Sequence, residues 1–305
     1  MKAVFYMRNG GPEVLEYGDV PNPAVRAGQV IVDVCAASVN AADWKARSGH
    51  HGTTPRFPAF LGRDFSGVVS GLGQGVADLK VGDQVFGVVE QVNNECYAEK
   101  VAIKASIVAH KPASLSHVEA AAIALTGLTA TAAIEQTLKL QPGEKILIQG
   151  GAGGVAGFAV QLAKHIGAHV IATASAANHD YVRSLGADEV IDYNAVDFTR
   201  VVSDCDAVFD TVGGDVAMRS FAVVKPGGRA AFINGSAPAS PRADVVSLKP
   251  KVGRDRAHLE RIVELVTRGA VRVPEIKVFA LRDAADAHRI SESRHFRGKL
   301  VLKVR

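Results

Sequence analysis

The chain has 305 residues, 48% of them hydrophobic, and 35 Lys and Arg against 31 Asp and Glu, a formal net charge of +4. That length suits two domains or one large one, and the apolar share suffices for sizeable cores. The small charge, with no run of Lys or Arg, argues against a nucleic-acid partner.

The N-terminal stretch "MKAVFYMRNGG" has no apolar core before a cleavage site, so no signal peptide is expected. No uninterrupted apolar run approaches the ~20 residues of a membrane span. The expectation is a cytoplasmic protein without a membrane partner. Cys35, Cys96 and Cys205 lie far apart, so neither a disulfide framework nor a cysteine-rich zinc site is expected.

Up to about residue 110 the alternation and turn signals are β-like. "VIVDV" (30–34), "FSGVVSGL" (65–72) and "QVFGVV" (84–89) read as strands, with turns at "AGQ" (27–29) and "VGD" (81–83). An irregular, partly closed antiparallel barrel or sandwich is expected there. Near Pro112 the character changes. "SLSHVEAAAIALTGLTATAAIEQTLKL" (114–140) carries a helical apolar stripe, and Ser116 with Glu119 fits a capping box.

Strand candidates then recur: "KILIQ" (145–149), "HVIATA" (169–174), "EVIDY" (189–193), "AVFDTV" (207–212) and "RAAFIN" (229–234). Helix-like segments fill most of the gaps, which predicts a parallel, doubly wound sheet. "RAHLERIVELVTRGAV" reads as an amphipathic helix and "KLVLKV" as a closing strand.

Between the first of these strands and the helix after it lies "IQGGAGGVAGFAVQLAK" (148–164). Gly151-x-Gly153-x-x-Ala156 fits the G-x-G-x-x-G/A dinucleotide fingerprint. Gly151 allows the tight turn, Gly153 lets a pyrophosphate approach, and Ala156 lets helix and strand pack closely. The helix N-terminus offers free N–H groups and partial positive charge to the phosphates. A tight strand–helix turn without a ligand is the alternative.

An NAD site places Asp or Glu about 20 residues further on, against the ribose 2′-hydroxyl. Here Thr173, Ala174 and Ser175 occupy that place, with no acid before Asp180. The absence of an acid permits a 2′-phosphate, so NADPH is favoured over NADH. Thr173, Ser175, Asn178 and Tyr193 are the candidates around it, with His179 or Arg183 adding charge; a solvent-exposed ribose end is the alternative.

An ordered set of motifs covers nearly the whole chain: "GGPEVLEY" (10–17), "ASVNAADWKARSG" (37–49), "FLGRDFSGVV" (60–69), "VGDQVFG" (81–87), "LTGLTA" (125–130), "GGAGGVAGFAVQLAK" (150–164), "SLGADEVIDY" (184–193), "FDTVGG" (209–214) and "RGKLVL" (297–302). On these the chain resembles the medium-chain dehydrogenase/reductase superfamily, in its zinc-less quinone oxidoreductase (zeta-crystallin-like) branch. The resemblance implies an α/β protein. A GroES-like β-rich catalytic domain (1–115 and 250–305) would flank a doubly wound Rossmann NADP-binding domain (116–249), with the active site in the cleft. It also implies a homodimer.

Carried over by position, the resemblance puts Thr126 beside the nicotinamide. Gly150, Gly151, Ala152, Gly153, Gly154 and Val155 would line the pyrophosphate. Val212 and Gly213 would border the adenosine side, and Asn234 and Gly235 the nicotinamide carboxamide. Zinc-dependent members carry Cys, His and Cys ligands where this chain has Asn40, Arg63 and Ala122, and their structural zinc lobe is missing, so no metal is expected. Related NADPH enzymes carry a Lys after the Ser of the second strand, which "SAANH" lacks, and a Tyr where this chain has Lys45.

The expected reaction is hydride transfer from NADPH to a quinone or an α,β-unsaturated carbonyl. Asn40 is the candidate donor to the acceptor carbonyl, and Lys45 or Arg63 would stabilise developing charge or deliver a proton. For each, a structural hydrogen bond is the alternative, and for Arg63 an ion pair with Asp64 or Asp43. Asp43 reads as a residue that orients the loop, Trp44 as core, Tyr97 as a strand residue, and His50 and His51 as loop residues. The competing reading is an NADPH-binding redox sensor or structural protein with little turnover; a zinc alcohol dehydrogenase is the third.

Overall fold

The structure, a computed structural model, describes residues 1–50, 55–90 and 95–305. In chain order it begins with β1 (Lys2–Tyr6), β2 (Leu15–Asp19), β3 (Gln29–Val39), α1 (Ala41–Arg47), β4 (Ala59–Phe60), β5 (Asp64–Leu72), β6 (Gln84–Val88), β7 (Lys100–Lys104) and β8 (Val108–His110). Then come α2 (His117–Thr131), β9 (Lys145–Gln149), α3 (Gly154–Ile166), β10 (His169–Ala174), α4 (His179–Ser184), β11 (Glu189–Asp192), β12 (Cys205–Asp210), α5 (Asp215–Ser220), β13 (Val224–Phe232) and β14 (Val246–Leu248). The chain closes with α6 (Arg256–Thr267), β15 (Ile276–Ala280), α7 (Ala284–Ser293) and β16 (Lys299–Lys303).

It divides into two compact units. One holds Met1–Leu125, Arg254–Thr267 and Glu275–Arg305; the other holds Thr126–Gly253 and Arg268–Pro274. The first is built on a seven-stranded sheet in the order β15-β16-β3-β5-β6-β8, with β7 also paired to β3, and on a three-stranded sheet β2-β1-β4. The strands of the first 110 residues pair antiparallel throughout, as expected for that stretch, and the C-terminal strands add β16 antiparallel to β3 and β15 parallel to β16. Strand β3 is the spine. Its first half pairs with β7, its second half with β16, and its other side with β5. Because β3 runs antiparallel to β5 and β16, its C-terminal end lies beside their N-terminal ends. That places Ser38 and Asn40, Asp64, and Lys299 at one edge of the sheet.

In the second unit six parallel strands follow the order β11-β10-β9-β12-β13-β14, the doubly wound arrangement the strand–helix alternation predicts. Strand β9 lies at its centre, and four of its five residues are buried. A parallel strand covered on both faces needs such an unbroken apolar run. Strands β9 and β10 match the expected segments residue for residue, while β11 and β12 end early and leave Tyr193, Thr211 and Val212 in the loops that follow.

Helix α2 starts as its sequence predicts. The Ser116 N–H and hydroxyl donate to Glu119 at 2.8 and 2.7 Å, and the Glu119 N–H returns a bond of 3.3 Å to Ser116 Oγ. With the π-helical turn Ala132–Thr137 it forms the one described helix long and apolar enough to cross a membrane, but 83% of that segment is buried inside the protein, so it is packed as a core helix. Helix α3 ends at Gly167, whose φ of 95° is the left-handed cap that glycine adopts without penalty. The three cysteines are free, as expected.

Candidate active site

In the first unit, the edge shared by β3, β5 and β16 gathers a polar cluster that is almost completely buried. Asp64 accepts from the Ser38 N–H (3.1 Å), the Ser38 hydroxyl (2.8 Å to each oxygen) and Asn40 Nδ2 (3.2 Å). Asn40 Nδ2 also donates to the Ser38 carbonyl at 3.2 Å. Lys299, 4% exposed, donates to the Val39 carbonyl at 2.9 Å and to Asn40 Oδ1 at 2.8 Å. The Asn40 amide is thus locked, with donors toward Asp64 and Ser38 and its oxygen toward an ammonium. Burial pushes the Asp64 carboxyl up and the Lys299 ammonium down, and each pulls the other back toward its charged form.

Asn40 is also the N-cap of α1, and its N–H donates to Asp43 Oδ2 at 2.8 Å, which ties the loop to the helix. Asp43 is 1% exposed, and burial pushes its carboxyl up to about 6. Arg63 acts on it through space, but no hydrogen bond joins them: Arg63 Nε and Asp43 Oδ1 are both buried without a partner among the described residues. Arg63 is 8% exposed, so an uncompensated guanidinium donor is held inside the protein. Lys45 lies on α1 with its Nζ 5.6 Å from the centre of the Trp44 ring, and Trp44 is buried as expected. His51 lies outside the described residues.

A second chain of bonds reaches Asp43 from α7. Arg47, 1% exposed, donates from Nε to the Gly10 carbonyl (3.1 Å), from Nη1 to His288 Nδ1 (2.9 Å) and from Nη2 to Glu292. His288 Nε2 lies 3.4 Å from the Tyr97 hydroxyl, which donates to Asp43 Oδ2 at 3.0 Å. Tyr97, expected in a strand, sits in a bend just before β7. Arg47, His288 and Lys299 escaped the sequence reading because their partners are up to 260 residues away. Lys299 opens the strand "KLVLK" and is buried with its apolar middle, while Lys303 at the other end is exposed, so the sequence alone does not tell the two lysines apart.

The second unit holds the remaining candidates, most of them at the carboxyl ends of its parallel strands, where such sheets bind ligands. Gly150, with φ of 78°, donates to Thr173 Oγ1 (3.1 Å), Gly151 to the Thr173 carbonyl (2.8 Å), and Gly153 to the Gly150 carbonyl (3.0 Å). The Thr173 hydroxyl in turn donates to Gln149 Oε1 at 2.7 Å. Thr173 is 2% exposed, so the structure spends its hydroxyl on bracing the glycine turn. Ala152 lies within that turn, Gly153 is the N-cap of α3, and Gly154 and Val155 are the helix's first residues. The first turn of α3 carries no acidic residue and no capping side chain. Its N–H groups have no partner within the helix and are open to an anion. Where a side chain would stand at Gly151, a Cβ would meet Ala172 Cβ at 3.0 Å and Val182 Cγ1 at 3.1 Å.

Ser175 and Asn178 follow β10, with Asn178 Nδ2 donating to Ser175 Oγ at 3.0 Å. His179 Nε2 beside them is buried without a partner among the described residues, and Arg183 is bonded to Asp180 at 3.3 Å. Tyr193 stands half exposed after β11. After β12, Val212 is exposed, and the Gly213 N–H donates at 2.7 Å to Asp210. Asn234 Nδ2 donates to the Val212 carbonyl, and Lys249 caps the Gly235 carbonyl. Thr126 is 3% exposed within α2.

Comparison with known proteins places both units. Residues 26–133 match the family model described as the alcohol dehydrogenase GroES-like domain, and residues 185–302 that described as zinc-binding dehydrogenase. The chain is 32% identical over 314 residues to an NADPH-dependent alkenal/one oxidoreductase of Arabidopsis thaliana chloroplasts, covering 99% of this chain and 79% of that protein. The quinone oxidoreductase structure from Coxiella burnetii aligns over 100% of this chain and 99% of its own, with a TM-score of 0.94 and 36% identity. The Escherichia coli quinone oxidoreductase, solved with NADPH, aligns over 100% of both chains with a TM-score of 0.91 and 28% identity.

Proposed function

The chain belongs to the medium-chain dehydrogenase/reductase superfamily, among its quinone and alkenal/one oxidoreductases, and on that premise we propose that it reduces a quinone or an α,β-unsaturated carbonyl with NADPH and without zinc. The observation that carries the reading is the glycine turn leading into an uncapped, acid-free helix N-terminus at the carboxyl edge of a parallel sheet. Gly151 to Val155 fit a diphosphate there. Ser175, Asn178 and His179, with no carboxylate on β10, fit a 2′-phosphate rather than a bare ribose.

Bound NADPH supplies the hydride; this chain's residues orient the acceptor and manage charge. Among the described residues Arg63 carries a buried cationic donor without a partner and is suited to the negative charge that develops on an acceptor oxygen. Asn40, fixed by Lys299 and Asp64, and Lys45 complete the acceptor side in this reading.

Zinc does not suit the residues present. Asn40, Arg63 and Ala122 replace the ligands of zinc-dependent relatives with an amide already engaged, a cation and a methyl group. Among the described residues no group of three or more His, Cys, Asp or Glu could hold a metal. Without a Lewis acid, an acceptor whose charge spreads over an enolate or quinol is favoured over a simple aldehyde.

Steady-state NADPH oxidation with 9,10-phenanthrenequinone, 1,4-benzoquinone and a panel of enones tests the reading. Turnover unaffected by chelators and by the absence of zinc in metal analysis is the expected result; binding of NADPH without turnover on any acceptor would overturn it. We expect a cytoplasmic homodimer, which cell fractionation and light scattering check.

A further inference from the structure

We propose that Asp43 holds on its Oδ1 the proton that the reduction consumes, and that Tyr97 and His288 position it by bonding in series onto its other oxygen. The inference rests on the reductase reading above and deepens it.

The direction of each bond is forced. Arg47 has donors only, so His288 Nδ1, 2.9 Å from Arg47 Nη1, must be the bare nitrogen and Nε2 must carry the hydrogen. Nε2 therefore donates toward the Tyr97 oxygen at 3.4 Å, with the two rings edge-to-face at 5.8 Å, and the Tyr97 hydroxyl is left to donate to Asp43 Oδ2 at 3.0 Å. His288 stays neutral: burial, reinforced by Arg47, pushes it down to about 3. Every donor in the series points at Asp43, and none points back.

Asp43 Oδ2 receives a second donor, the Asn40 N–H at 2.8 Å, while Oδ1 is buried with no partner among the described residues. A carboxylate with one oxygen already accepting two hydrogen bonds takes its proton on the other. Protonation turns Oδ1 from an unsatisfied acceptor into an O–H donor, which removes the cost of a bare buried charge.

The surroundings set this exchange near neutrality. Burial, helped by Asp64, outweighs the downward pull of Arg63, the Asn40 N–H and Tyr97, and leaves the carboxyl raised to about 6. Lys299 on β16, which Asp43 helps keep charged, and Cys96 beside Tyr97 are the other ionisable groups that feel it.

The step balances. The acceptor gains a hydride and is left with a negative charge on oxygen. The O–H bond of Asp43 breaks, its proton forms the new bond on the reduced acceptor, and the carboxylate remains under the donors on Oδ2. Solvent restores the proton. NADPH is oxidised and the acceptor gains two electrons and two hydrogens.

Infrared difference titration of the protein without coenzyme reads the proton directly. The band of a buried carboxylic acid is expected to vanish as pH rises through about 6, to be absent in Asp43→Asn, and to persist to higher pH in Tyr97→Phe, which loses a donor to the ionised form. The shift expected for one hydrogen bond is about half a pH unit or more. In turnover, kcat/KM for the acceptor should fall along an alkaline limb, and Tyr97→Phe should move that limb up in the same direction as the band. His288→Gln keeps an acceptor for Arg47 and a donor for Tyr97, and should restore the midpoint that His288→Leu displaces. A band unchanged in Asp43→Asn, or turnover whose limb Tyr97→Phe leaves in place, overturns the proposal and leaves the reductase reading standing. Absence of turnover on every acceptor overturns both.

Discussion

Gly153 carries no side chain, yet the fold has room for one: a Cβ there would approach nothing closer than the Gly150 carbonyl at 3.4 Å. Gly153→Ala should therefore keep its stability to within about 0.5 kcal/mol. It should weaken NADPH binding at least about tenfold, near 1.4 kcal/mol, because the methyl occupies the diphosphate's approach. Gly151→Ala crowds Ala172 and Val182 and should cost stability by about 1–3 kcal/mol as well. Paired calorimetry and thermal unfolding separate the two glycines. Asp210 makes a different prediction. It is fully buried, its Oδ2 has no partner among the described residues, and burial pushes it up from 3.8 to about 6. A carboxyl raised by folding loses stability as pH climbs from its unfolded value to its folded one. Asp210→Asn lacks that loss, so its stability relative to the parent should improve by up to roughly 3 kcal/mol between pH 4 and 7. Thermal melts across that range check it. The glycines were legible because each answers a local steric demand within one turn. The buried service of Thr173, and the Asp43–Tyr97–His288 series, depend on partners that no local spacing announces.

Helices α1 and α7 are joined by Arg47, which reaches His288 and Glu292 as well as the Gly10 carbonyl. Arg47→Met strands a buried imidazole and leaves Glu292 unpaired. Removing one partner of a buried ion pair costs about 3–5 kcal/mol, and because Glu292 keeps 29% of its side chain exposed the lower end is expected. Urea unfolding measures it, and NADPH affinity should not change. These helices also mark the limit of sequence reading. Strands β9 and β10 announce themselves because burial on both faces demands apolar runs. Helix α7, "AADAHRISES", buries Ala284, Ala287, His288 and Ser291, so its inner face is not written in large apolar residues. Helix α1 is only seven residues long, too short for a period to show. Strands β1 and β2 are as short as β9, but β2, "LEYGD", lacks its unbroken apolar run and none of its residues is buried.

For the molecule as a whole, ligand linkage supplies the simplest check. NADPH at a hundred times its Kd should stabilise the folded chain by about 2.7 kcal/mol, and NADH at the same concentration by less; a thermal shift with NADH equal to that with NADPH would refute the 2′-phosphate assignment. The architecture itself carries a further consequence. Leu300 lies opposite Val39 and Lys303 opposite Ala36, so the middle of the larger sheet joins residues far apart in the sequence. A ribosome making this protein must deliver β16 before that sheet can close, whereas the six parallel strands are all complete by Leu248. Nascent chains stalled just short of Lys299 should accordingly show a protease-resistant nucleotide-binding core while the segment before α2 is still digested, and a chaperone that holds that early segment would have its longest wait here.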